Sequence, residues 1–190
     1  RSVSRGLGDV YKRQPYAWGE DECQTLWEDL FNFSFPENNC DNFDSESDEY
    51  FLGPIVTFKN DKGDMEIIDG QQRLTTLMLL LRAFYDKFKN MKDDKSEKTR
   101  KQIEACIWKT DEFGDANTEE LKINSEVATD EDKDEFLEIL RTGDVTKGKS
   151  SYAKNYKFFQ DKIKEFTEEY VSYTPLSVSY THLQAHETLS

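Results

Sequence analysis

The sequence predicts an α+β fold: a small sheet that feeds a strand–turn–helix element, followed by a mainly helical C-terminal part. Three observations carry this. Two β-prone runs, Ile55 to Phe58 and Met65 to Ile68, flank a Lys/Asn/Asp/Gly turn, the pattern of a hairpin. A nearly unbroken Leu/Met run follows from Leu74, too apolar for a helix with a normal solvent face. Beyond it, apolar residues recur at helical spacing in Phe136 to Leu140 and again from Tyr152 to Phe166. A few early strands followed by helices is the α+β order.

Taken along the chain, Pro15-Tyr-Ala-Trp-Gly-Glu20 reads as a loop. From Glu20, an acidic first turn (Glu20, Asp21, Glu22) precedes Leu26, Trp27, Leu30 and Phe31, which predicts an amphipathic helix of about three turns. Asn32 to Asp48 is polar, contains Pro36, and is expected to be a surface loop. Gly53-Pro54 opens the first strand, where a missing N–H does least harm. Met65 to Ile68 is the second strand, Asp69 to Arg73 a polar turn, and the central core helix begins near Leu74. The charged stretch Lys87 to Lys101 continues as an exposed helical or loop connection, and Ile103 to Thr110 fits either a short helix or a strand. Glu120 to Asn124 alternates like a strand. Thr129, with an acidic turn behind it, caps a helix through Leu140. Thr142 to Ser150 is a Gly/Lys/Ser loop, and Ser151 to Tyr170 the last helix.

The two ends call for a separate reading. Asp9-Val-Tyr-Lys-Arg-Gln14 can be encoded by GAT GTG TAT AAG AGA CAG, whose reverse complement, read two bases in, encodes Val178-Ser-Tyr-Thr-His182. Two ends of one protein have no physical reason to be antisense translations of each other. The pair resembles read-through of a transposon-based sequencing adapter, so 1–14 and 177–190 are read as non-native and 15–176 as a truncated domain. Both histidines, His182 and His186, fall in the excluded tail, which leaves 15–176 without candidates for histidine-based acid–base or metal chemistry.

The full chain has 190 residues and a formal charge of −14; without the two ends, 21 basic and 37 acidic residues remain, a net −16. Such a balance argues against a broad DNA-wrapping surface, though not against a local basic site. Cys23, Cys40 and Cys106 contain no CxxC pair, so neither a zinc cluster nor a disulfide framework is expected. The longest apolar run, Leu77 to Leu81, is far too short to span a bilayer. The expectation is a soluble, cytoplasmic protein with reduced thiols and no metal ligands of its own.

The stretch that could carry chemistry is Asp69-Gly-Gln-Gln-Arg73. A strand ending at a helix start presents unpaired N–H groups and partial positive charge, to which Arg73 adds a full one, an arrangement suited to anions. Gly70 would let the backbone approach a ligand. Asp69 could hold a metal-bound water or orient Arg73. Gln71 and Gln72 could contact phosphate oxygens or place a water, and Arg73 could grip phosphate bidentately. Set against this, Asp-Gly is a common hairpin turn, and Asp69 could be a plain N-cap with its neighbours solvated. Tyr16 and Trp18 could stack on a base or plug the core.

Three blocks in this order, Pro15-Tyr-Ala-Trp-Gly-Glu20, Phe51-Leu-Gly-Pro-Ile-Val56 and Ile68-Asp-Gly-Gln-Gln-Arg-Leu-Thr-Thr-Leu77, resemble the N-terminal domain of GmrSD-type, modification-dependent restriction endonucleases, a domain with a ParB/sulfiredoxin-like core. The resemblance implies an NTP-binding and NTP-hydrolysing (NTPase) domain, working with Mg²⁺, in a restriction or phage-defence system whose DNA cleavage lies in an attached or separate HNH-type nuclease domain. It carries Asp69, Gln71, Gln72 and Arg73 over as catalytic residues, and Gly70, Arg73 and Thr75 as the phosphate site, with Tyr16 and Trp18 beside them. The alternative is a ParB-like DNA-binding or nuclease module that uses the same motif on a DNA phosphate. A Gln-Arg pair usually precedes the Pro-Tyr-Ala-Trp block in this family. Here Arg13-Gln14 holds that place, inside the segment read as adapter.

Overall fold

A computed structural model describes residues 16–38, 50–59, 61, 65–122, 130–145 and 148–169. The elements run α1 (Glu20–Ser34), a short 3₁₀ turn (Pro36–Asn38), β1 (Val56–Lys59), β2 (Met65–Asp69), α2 (Gln71–Phe88), α3 (Asp94–Ile107), β3 (Trp108–Thr110), β4 (Ala116–Leu121), α4 (Asp130–Thr142) and α5 (Ser151–Glu169). The strands pair as two separate antiparallel hairpins, β1 with β2 and β3 with β4. The mixed helix-and-strand class is as the sequence predicts. The helices do most of the packing.

Helix α2 is the centre of the molecule, buried without a break from Leu74 to Phe84. An apolar surface on all sides forces neighbours on all sides, and α3, α4 and α5 supply them. Helix α1 adds an aromatic wall. Trp27 lies 6.5 Å from the Phe84 ring, and Phe31 and Phe35 lie 5.5 and 5.3 Å from Phe166 of α5. The first turn of α1 is fixed by Glu22, whose Oε2 accepts from the Gly19 N–H at 2.8 Å, one half of a capping box.

Several boundaries shift from the sequence reading. Helix α1 extends to Ser34, over residues expected to be loop, because Phe33 and Phe35 find ring partners in Tyr50 and Phe31. Helix α2 starts at Gln71 rather than Leu74, so Gln71 to Arg73 form its first turn. The stretch 103–110 contains both alternatives, helix to Ile107 and strand from Trp108. The strand expected at 120–124 occupies Ala116–Leu121 instead; Ile123, Asn124 and the capping Thr129 lie outside the described residues. Among the described residues, no helix is long and apolar enough to cross a membrane.

A charged cluster is set into this apolar core. Arg82, 2% exposed, donates from Nε to the Leu140 carbonyl at 2.9 Å, closing the C-terminal end of α4. It also forms an ion pair with Asp86 at 2.7 Å. Asp86 further accepts from Lys89 and from the Tyr156 hydroxyl, and the Arg82 guanidinium lies 5.0 Å over the Tyr85 ring. Gly143 makes room for this: at φ +74°, any Cβ it carried would lie 2.6 Å from Arg82 Nη2. Burial pushes the Asp86 carboxyl up, but hydrogen bonds from Lys89 and Tyr156 and the Arg82 charge outweigh it and hold the group below its usual 3.8.

A depressed carboxylate contributes stability that is present above its unfolded value and lost as pH falls through its folded value. Asp86→Asn should therefore cost roughly 3–5 kcal/mol near neutrality, because it leaves Arg82 buried without its counter-charge. The deficit should begin to shrink below about pH 4, where the unfolded chain's carboxylate takes up a proton, and close as pH falls through the depressed folded value. Urea unfolding of both proteins between pH 3 and 7 checks this; a pH-independent difference would assign Asp86 no ionic role.

Candidate functional site

The candidate site is the junction of β2 and α2. Strand β2 ends at Asp69, which pairs with Val56 across a β-bulge between Val56 and Thr57. Bulges re-aim the chain where they occur. The turn into α2 is a single residue, Gly70, in the left-handed region (φ +87°, ψ 3°). Glycine is required there on two counts. The dihedral is costly for any side chain, and a Cβ would come within 3.0 Å of Ile55 Cγ1 and 3.4 Å of the Pro54 carbonyl oxygen. The residues ahead of β1 thus lie directly over Gly70.

The polar side chains of the motif take different directions. Asp69 is exposed and turns back on its own turn, Oδ1 accepting from the Gly70 N–H at 2.9 Å. It is therefore not the N-cap of α2, a position held by Gly70. Gln71 donates from Nε2 to the Ile67 carbonyl, tying the first turn of α2 to β2. Gln72 points elsewhere: its Oε1 accepts from the Ala17 N–H at 2.8 Å and the Trp18 N–H at 3.4 Å. Arg73, partly exposed, runs beneath 53–54, with Nη1 3.4 Å from the Pro54 carbonyl oxygen. Gly53 (φ +93°) has no Cβ to obstruct it; one built there would lie 3.0 Å from Arg73 Nη1. The Arg73 charge is also felt at Tyr50, whose hydroxyl is pushed up by burial and by the Asp29 carboxylate that it donates to at 3.2 Å, with Arg73 acting in the opposite sense.

The structure thus brings Asp69, Gly70, Gln71 and Arg73 together at one junction, with 53–55 as its cover. The other predicted residues lie inward. Thr75 is buried in the second turn of α2. Tyr16 is 9% exposed, its ring stacked on Tyr152 at 4.5 Å and its hydroxyl 2.7 Å from both Thr76 Oγ1 and Asn155 Nδ2. That is the core-plugging placement of the aromatic loop. Trp18 is half-buried against the core, and its carbonyl accepts from Asn155 at 2.9 Å.

Asn155 escaped the sequence reading. It stands on α5 between Tyr152 and Phe159, inside the apolar stripe, and a lone amide on a buried face was the available signal. Cys23 and Cys106 offer no nucleophile, since burial pushes their thiols up to about 12 and about 11. Among the described residues, no three His, Cys, Asp or Glu side chains are grouped to hold a metal ion.

The family model described as the GmrSD restriction endonuclease, N-terminal domain, matches residues 13–188. The match overlaps both terminal segments read as adapter. No curated protein and no solved structure matches.

Gly70→Ala tests the junction. It should lower stability by about 1–3 kcal/mol through its left-handed dihedral, with a further loss from the Ile55 contact. Thermal unfolding measures the first. Faster proteolysis within 50–56 would report the second; an unchanged melting temperature would mean that the turn is not held as described.

Proposed function

The chain belongs to the GmrSD restriction endonuclease N-terminal domain family, and from that premise we propose that the β2–α2 junction is a nucleoside-triphosphate site whose occupancy or hydrolysis governs an HNH-type nuclease domain, attached or separate. The observation that carries this reading is Arg73 in the first turn of α2, behind a left-handed Gly70. The helix start supplies N–H groups and the positive end of its dipole, and the guanidinium supplies a planar, permanently charged donor fork for phosphate oxygens. Gly70 leaves room for Ile55 and Pro54 to close over the turn, and Gly53 leaves room for the Arg73 guanidinium. The ParB/sulfiredoxin-like assignment belongs to the same proposal and rests on the order strand, Asp-Gly turn, helix.

Within the site, Arg73 would hold and neutralise a phosphate group that gains charge as the terminal bond breaks. Asp69, exposed beside the turn, is the motif's one carboxylate and would orient a water. With one carboxylate at the junction, the residues present fit Mg²⁺ carried mainly by phosphate oxygens and water, where it would shield phosphate charge. Tyr16, buried against Tyr152, leaves Trp18 as the aromatic of the loop able to meet a base.

Phosphate release from each Mg·NTP is the direct test. Arg73→Ala should lower kcat/KM by about 10²–10³-fold, and Arg73→Lys should recover little of it, because an ammonium cannot reproduce the fork. Asp69→Ala should lower kcat with a smaller change in KM. Equal turnover in wild type and both alanine variants would remove the site. Salt-dependent DNA binding lost in Arg73→Ala, without any nucleotide effect, would instead support the DNA-phosphate alternative.

A further inference from the structure

Around Gln72 the polar contacts close into a ring. Asn155 Nδ2 donates to the Trp18 carbonyl at 2.9 Å and to Tyr16 Oη at 2.7 Å. The Trp18 and Ala17 N–H groups donate to Gln72 Oε1. Thr76 Oγ1 donates to the Gln72 carbonyl at 2.9 Å and lies 2.7 Å from Tyr16 Oη.

The proton directions follow from the Thr76 bond to the Gln72 carbonyl. The single Thr76 hydroxyl proton is given to the Gln72 carbonyl, so the Tyr16 hydroxyl donates to Thr76 and accepts from Asn155. The Asn155 amide cannot be reversed either, since its oxygen would then oppose the Trp18 carbonyl. The result is a one-way chain, Asn155 to Tyr16 to Thr76 to Gln72, in which each bond polarises the next. Its members Tyr16, Thr76 and Asn155 are all buried. Gln72 is gripped twice, by its side chain and by its own carbonyl, and Arg73 is the next residue.

We propose that Asn155 is a positioning residue of the site: by closing this ring it fixes the first turn of α2, and with it Arg73, against the loop 16–18 and helix α5. Asn155 touches no ligand itself. Gln72 accordingly serves as the anchor of the first turn. The consequence for the reaction rests on the nucleotide reading above; the consequence for the first turn does not.

The experiment compares Asn155→Ala, Tyr16→Phe and Phe159→Leu in the full chain. Tyr16→Phe keeps the ring stacked on Tyr152 and deletes only the hydroxyl link. Phe159, fully buried on the same helix, lies outside the ring and controls for general loss of core packing. Amide hydrogen exchange across 74–76, the first bonded amides of α2, should quicken roughly five- to tenfold in Asn155→Ala and in Tyr16→Phe, the worth of about one hydrogen bond, and stay near wild type in Phe159→Leu. The Leu74 N–H, bonded to the Gly70 carbonyl at 2.9 Å, is the most direct reporter. Unchanged exchange in the two ring variants, or equal quickening in all three, overturns the proposal. In Mg·NTP turnover below each melting temperature, the ring variants should raise KM more than they lower kcat, while the control leaves both unchanged. Wild type inert toward every Mg·NTP would sink the nucleotide reading alone, since the exchange comparison still decides the ring.

Discussion

Everything here depends on burying α2. A helix whose residues from Leu74 to Phe84 are all buried cannot be stable in water until other elements surround it. Once they do, its middle is closed to any ligand and chemistry is confined to its ends. The N-terminal end is the one that meets the β1–β2 hairpin, and the motif residues are strung across that meeting point. The candidate site lies where the central helix comes to the surface.

The class of the fold and the strand–turn–helix junction that holds the candidate site were legible because both follow from local patterns: β-prone runs in the hairpin, a Leu/Met run, an Asp-Gly turn. What the motif side chains do was much less legible. Gln71, Gln72 and Arg73 are consecutive and chemically alike as donors, yet one bonds back to β2, one bonds to a loop over 50 residues earlier, and one runs under Pro54. Successive helix residues point about 100° apart, so adjacency in sequence guarantees divergence in space. The start of α2 was misplaced by three residues for a related reason. A Gly in the left-handed region can open a helix without any capping side chain, and composition alone does not reveal its dihedral. Arg82 and Asp86 were passed over because periodicity assigns them to a core helix without showing that they pair there.

A leucine-rich helix packs well but weakly defines its own register, since neighbouring apolar positions have similar shapes. Buried polar contacts remove that freedom, as a single polar residue fixes register in a coiled coil. Helix α2 carries two such locks: Gln72 and Thr76 near its start bond to the loop 16–18, and Arg82 and Asp86 towards its end bond to the Leu140 carbonyl and to Tyr156. The neighbouring residues Asn155 and Tyr156 of α5 take part in one lock each. Sliding α2 along its axis by one residue would break its bonds to Tyr16, to the Leu140 carbonyl and to Tyr156 at once, while the Arg82–Asp86 pair, being within the helix, would travel with it.

The same two locks account for the division of labour within the motif. Had Gln72 been turned toward the junction, the loop 16–18 would have lost its acceptor, and the Ala17 and Trp18 N–H groups would have needed another partner or water. Keeping it inward costs the site one polar group but sets the direction of the next residue. A guanidinium on a long, flexible stem is useful for phosphate only when its base is held still, because ordering such a side chain costs up to about 2 kcal/mol of rotamer freedom. Gly53 and Pro54 above Arg73, and the Gln72 anchor before it, order this stem in the folded chain, so on the proposed reading that cost would be met during folding rather than during binding. An arginine at a helix start, supported by uncharged hydrogen bonds whose titratable member, the Tyr16 hydroxyl, is pushed up by burial, would keep its geometry across the pH range in which the fold itself persists.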